Sequence, residues 1–227
     1  MEGLQPLHRR VAHSAEVNRL HKVLDDGSIK LGGVVSGIFG VSATAMVKGL
    51  IQGQSIDSLL AMARGALKLK RDDLQAALDG DLSARHLFVL KHIHAHIESL
   101  QRELADIDAY LLAAMQPYAL AHGLLQTIPG IDRIAAALIL IEIGDDMARF
   151  GCAERLASWA ALCPGNNESA GKRKSGKTRH GNGVIRYILC ECANAARMTK
   201  STLAAKYHSL MVRKSHKKAI RLRWLTR

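Results

Sequence analysis

Aromatic residues are scarce, with Phe, Trp and Tyr making up only 4% of the 227 residues. Because 48% of the chain is still hydrophobic, its core must rest on Leu, Ile, Val, Ala and Met, and the length suits one or two domains. Proline is rare too, at four residues. Together with long Ala/Leu-rich runs this predicts an all-α chain. No long apolar run is present: residues 135–143 are far too few to cross a membrane, so no membrane partner is expected. Residues 1–10 lead into a polar helix without the apolar segment of a secretory signal. The four cysteines, Cys152, Cys163, Cys190 and Cys192, match no disulfide framework. Cys190 and Cys192 fall on different sides of a helix, which speaks against zinc. A reducing cytoplasm is the expected setting.

Acidic residues are almost missing from the end of the chain. Residues 172–227 hold 16 Lys plus Arg and one acid, Glu191, a balance of +15. Residues 1–171 carry 16 bases and 19 acids, or −3, which sums to the formal +12. Charge concentrated in this way points to a polyanionic partner, because each phosphate contact releases condensed counterion. The competing reading is a solubilising or disordered basic tail.

The chain divides by pattern into a helical region, 1–119, and a basic C-terminal domain, 120–227. Residues 8–24 read as a polar-faced helix with Val11, Ala15 and Leu20 as its apolar strip, ended by Asp25, Asp26 and Gly27. Ser42 and Ser55 each precede an apolar run and are predicted helix caps. Next, Leu90, Ile93, Ile97, Leu100, Leu104, Ile107 and Leu111 recur in alternating steps of three and four, an a/d seam on a coiled-coil-like helix. Over residues 83–115 that helix would be roughly 50 Å long. Its seam needs a partner, either another helix of the chain or a second subunit. His86, His92, His94 and His96 flank the seam and read as a solvated face. His92 and His96 are one turn apart, but nothing of suitable spacing completes a metal site.

Beyond a break at Pro117, two constellations could carry chemistry. In the first, Thr127-Ile128-Pro129-Gly130-Ile131-Asp132 and then Ala135, Ala136 and Ala137 fit a helix–hairpin–helix. Pro129 fixes φ, Gly130 permits close approach, and the next helix opens with backbone N–H groups suited to a DNA phosphate. Asp132 works against this, since a carboxylate repels phosphate. The bland alternative is a plain connection between helices.

The second constellation is the turn-rich basic block 163–182, extending to Arg186. Here Ser169 and Ser175 stand among Lys172, Arg173, Lys174, Lys177 and Arg179. A hydroxyl can attack a phosphodiester where cations stabilise the phosphoryl oxygens. Ser169 is the better candidate nucleophile and Ser175 the alternative, although only His180 is near in sequence to accept a proton. A basic loop that merely contacts phosphates is an equal competitor. Gly171 to Thr178 also meets the spacing of a nucleotide-binding loop, but no apolar strand precedes it.

The runs Leu125-Gln126-Thr127-Ile128-Pro129-Gly130-Ile131 and Glu142-Ile143-Gly144-Asp145, and the block from Leu156 through Cys163-Pro164-Gly165-Asn166-Asn167-Glu168-Ser169-Ala170-Gly171-Lys172, resemble the C-terminal domain of the insertion-sequence 110 transposases, also grouped as 116/902. The stretch Glu16-Val17-Asn18-Arg19-Leu20-His21-Lys22-Val23-Leu24 resembles that family's middle region. The resemblance implies DNA transposition, with Ser169 forming a covalent link to DNA, phosphate contacts from the basic residues, and guidance by a structured RNA. It also implies a separate nuclease domain holding magnesium on acidic residues, for which this sequence offers no counterparts.

A transposase fragment inactive alone, DNA-bound at the nucleoid, is therefore the expected identity. Its expected partners are DNA, a guide RNA, and a second copy or a full-length transposase, and no cofactor is expected in the chain itself. The alternatives are a non-catalytic nucleic-acid-binding regulator derived from a transposase and a repair-like enzyme.

Overall fold

The computed structural model describes residues 4–163, 167–169, 172–175 and 180–212. These are helical except for one short antiparallel ribbon, and they divide into two compact units. The first comprises residues 7–105, and the second residues 106–227 with residues 1–6. Among the described residues no helix is long and apolar enough to cross a membrane.

The first unit contains most of α1 (Leu4–Asp26), followed by α2 (Leu31–Val34), α3 (Val41–Ile51), α4 (Ile56–Ala61), a 3-10 segment (Gly65–Lys70), α5 (Arg71–Leu78) and the larger part of α6 (Ala84–Ala114). Leu20, Leu24, Leu31, Met46, Leu59, Leu74 and Leu78 form its core with Leu90 and Ile97 of α6. The expected seam is thus buried here by helices of the same unit. Truncating one such side chain to Ala costs about 2–5 kcal/mol.

Three sequence expectations for this unit need correction. On α1 the inward face is Val17, Leu20 and Leu24, whereas Val11 and Ala15 are exposed. Glu16 joins that face, buried beneath Arg19 at 2.6 Å and His96 at 3.4 Å; a buried carboxylate paired with an arginine does not register in a hydrophobic count. Ser55 does cap α4, accepting from the Ser58 N–H. Ser42, however, lies inside α3, which starts after Gly40, and its Oγ accepts the Arg64 N–H at 3.0 Å. The histidines also divide. His94 is buried, with Nδ1 3.8 Å from Glu98, whose other oxygen lies 2.8 Å from Lys48 Nζ. Burial lowers the His94 pKa, with Lys48 lowering it further and Glu98 opposing.

In the second unit, α7 (Ala119–Gln126), α8 (Arg133–Ile143) and α9 (Ala153–Trp159) precede a ribbon of β1 (Asn167–Ser169) and β2 (Lys172–Ser175). Two helices follow, α10 (Gly183–Arg197) and α11 (Thr202–Met211). Helix α8 packs against α7 and α10, and α10 against α11. The basic end of the chain is therefore no simple appendage: Ile185, Ile188, Ala193 and Ala196 of α10 are core residues. The ribbon departs from an entirely helical fold, in a block where Gly, Ser and Asn disfavour a helix and few apolar residues stabilise one by packing.

Candidate nucleic-acid interface

Helix α10 anchors both constellations, one near each end. At its start, Asn182 is the N-cap, accepting from the N–H groups of Val184 at 2.9 Å and Ile185 at 3.1 Å. Its Nδ2 donates to Glu142 Oε2 at 2.6 Å, and its backbone N–H donates to the Trp159 carbonyl at 3.0 Å. One asparagine thus ties the ends of α8 and α9 to the beginning of α10. Gly181 is required beside it, since a Cβ there would lie 2.5 Å from the Trp159 carbonyl oxygen and 2.9 Å from Ala161. Phe150 packs on Trp159 with ring centroids 5.5 Å apart.

The basic block leaves this platform after Cys163 and returns at His180, so both feet are fixed to the helices. Between them the ribbon pairs Asn167 with Ser175, Glu168 with Arg173 and Ser169 with Lys172, with an irregularity after Asn167. Ser169 and Lys172 are cross-strand neighbours, with Cα atoms about 4.5–5.5 Å apart as in any antiparallel pair. Ser175 sits at the opposite end, facing Asn167. Lys172, Arg173 and Lys174 follow one another along β2. Lys177 and Arg179 lie outside the described residues. Arg186, half-buried, is one turn into α10.

Near the other end of α10 lies the Pro129–Gly130 turn. Gly130 adopts φ +90, and a Cβ there would meet the Cys192 carbonyl oxygen at 2.4 Å and the Ala196 nitrogen at 2.6 Å. Its freedom is therefore used to seat the turn against α10. Cys192 is enclosed in the same contact, and burial pushes its thiol up to about 11, which suits a packing role. Asp132 N-caps α8, accepting from the Ala135 N–H at 2.7 Å. One N–H expected to be open to phosphate is thus already occupied. His122 staples α7 to α8: Nε2 donates to the Arg133 carbonyl at 2.8 Å, leaving Nδ1 to accept from Gln126. Ten steps along α10 separate Arg186 from Ala196, about 15 Å along the axis, so Arg186 stands apart from the turn that packs on Ala196.

Residues 122–208 match the Transposase IS116/IS110/IS902 family. That stretch runs from His122 on α7 to His208 on α11, so it takes in the turn, the clamp, the ribbon and α10. It is less than half of the chain, and the link to the transposases stands at the level of the family for this region. No curated protein and no solved structure matches the chain.

Within the transposase-like region, Asn182, Glu142 and His122 are structural determinants that sequence reasoning missed. Asn182 before a new apolar run was a legible cap signal. Its bond to Glu142, 40 positions away, had no signal in spacing.

Proposed function

We propose that residues 122–208 form a DNA-binding transposase element in which Ser169 is the nucleophile of strand exchange. The observation that carries the reading is the anchored ribbon, whose register sets Ser169 beside Lys172 within a family-matched region. A cation next to the attacked phosphate stabilises charge on the phosphoryl oxygens, while the fixed feet limit the entropy lost in positioning the hydroxyl. Lys172, Arg173, Lys174, Lys177, Arg179 and Arg186 supply backbone-phosphate contacts. The turn at Pro129 and Gly130 contributes a secondary contact, weakened by the Asp132 carboxylate. The helix–hairpin–helix and the α6 seam, read as a coiled coil beyond the stretch already covered, complete the architecture. A guide RNA and a second or full-length transposase copy remain the proposed partners.

The resemblance implies magnesium on an acidic cluster. Among the described residues no group of three or more His, Cys, Asp and Glu side chains could hold a metal ion, so no step of the proposal runs through one in this chain. In the proposed step the Ser169 Oγ forms a bond to the DNA phosphorus as one P–O bond to a deoxyribose oxygen breaks, and that oxygen leaves as a hydroxyl; the acceptor for the Ser169 proton and the donor to the leaving oxygen come from the full transposase complex. The test is denaturing electrophoresis of labelled donor DNA with the chain alone, and with a full-length transposase, its RNA and magnesium. We expect no adduct from the chain alone and a Ser169-dependent adduct in the complex. An adduct that survives Ser169→Ala and disappears with Ser175→Ala transfers the role to Ser175. A strong adduct from the isolated chain overturns the proposal that Ser169 acts only within the complex.

A further inference from the structure

The first unit carries a basic surface that the overall charge balance conceals. Residues 1–171 have a net charge of −3, yet residues 27–71 contain six bases, Lys30, Lys48, Arg64, Lys68, Lys70 and Arg71, and one acid, Asp57. This stretch alone is +5. Arg71 is opposed by Asp57 at 3.8 Å, and Lys48 by Glu98 at 2.8 Å. Arg64, Lys68 and Lys70 are exposed and form no side-chain ion pair among the described residues. Three cations within seven residues, none held in an ion pair among the described residues, produce a local positive field that Asp72 and Asp73 at the start of α5 only partly offset.

The fold gives Arg64 and Lys70 a concave setting, while Lys68 faces a smaller neighbouring hollow beside Arg71. A cavity of about 390 Å³ is lined by Ser36, Gly37, Gly40, Ser42, Arg64 and Lys70, among others. Ser42 Oγ holds the Arg64 backbone N–H at 3.0 Å, which pins the start of the 3-10 segment against α3 and keeps Arg64 at the rim. Space beside Gly37 is open, with no atom within 4 Å of where a Cβ would stand, so a ligand backbone can approach closely there. Leu69 stands 90% exposed between Lys68 and Lys70. An apolar side chain flanked by cations fits a partner with alternating phosphate and sugar better than a free anion. We infer that Arg64, Lys68 and Lys70, with the Ser36–Ser42 wall, form a second binding surface for a nucleic-acid phosphodiester backbone, separate from the ribbon.

This inference rests on the nucleic-acid-binding reading above, and the experiment separates the two. Anisotropy titrations of the full chain against duplex DNA and against structured RNA, at several salt concentrations, give the slope of log K on log salt. The variant Arg64→Ala/Lys68→Ala/Lys70→Ala removes three exposed charges. A matched control, Lys22→Ala/Arg85→Ala/Lys91→Ala, removes three exposed charges elsewhere on the same unit. If the surface makes phosphate contacts, the first variant lowers the salt slope by up to about 3, or about 2 where the ligand is single-stranded. It also weakens affinity at least tenfold, while the control changes affinity less than threefold. The ligand that shows the difference identifies whether the surface serves DNA or RNA. Equal losses in the two variants, or none in the first while the wild type binds, overturn this inference and leave the ribbon reading standing. A wild-type chain that binds neither ligand overturns both. Circular dichroism of each variant confirms that the helices are retained.

Discussion

Replacing Gly130 with Ala separates a packing role from a phosphate-contact role. The residue is at φ +90, where an L side chain is strained by about 1–2 kcal/mol. The added Cβ would also stand 2.4 Å from the Cys192 oxygen and 2.6 Å from the Ala196 nitrogen. Both are backbone atoms of α10 and cannot swing aside, so overpacking adds about 1–3 kcal/mol. The expected loss is about 2–5 kcal/mol, a large share of the 5–15 kcal/mol typical of a domain. Denaturant unfolding followed by tryptophan fluorescence is a direct assay, because Trp159 on α9 belongs to the second unit. Gly123 in α7 is the control: nothing lies within 4 Å of its added Cβ, so Gly123→Ala should gain about 0.5–1 kcal/mol. A loss below about 0.5 kcal/mol for Gly130→Ala, with weakened DNA binding, would refute the packing account and restore Gly130 as a phosphate-approach residue.

Two further outcomes follow from the same geometry. Asn182→Ala removes the cap of α10 and the partner of Glu142, and should cost about 1–2 kcal/mol in denaturant unfolding. In the first unit, burial lowers the His94 pKa below 6.5, so the unfolded chain takes up the proton first as pH falls. The resulting stability is fully present above about pH 6.5 and is lost as pH drops through the folded value. His94→Gln should flatten the stability profile below about pH 6.5; an unchanged profile counts against it.

Periodicity made the long elements legible. The seven-residue seam located α6, and the apolar run 135–143 located α8. Apolar spacing reports which face a helix buries because burial is roughly proportional to apolar area. Partner choice is a different kind of information. Ser42 had the local signature of a cap and instead holds Arg64, 22 positions away. Gly130 was read as open to phosphate, and it is pressed against α10, which the sequence places some 60 positions later. His94 looked solvated because its neighbours on the helix are charged, yet the helices packed against α6 enclose it. Of the candidate site, Ser169 and the basic block were visible as residues. Their arrangement as a ribbon depends on feet fixed by Asn182 and Gly181, a tertiary contact without a sequence period.

The central claim is that the ribbon presents its cations to DNA, and the variant Lys172→Ala/Arg173→Ala/Lys174→Ala tests it most directly. Fluorescence anisotropy of the full chain with labelled duplex DNA, from about 50 to 200 mM salt, gives the number of phosphates contacted. Losing two or three contacts should make the slope of log K on log salt shallower by about 2–3 and weaken binding at least tenfold at the lower salt. A variant with the wild-type slope and affinity would contradict the account.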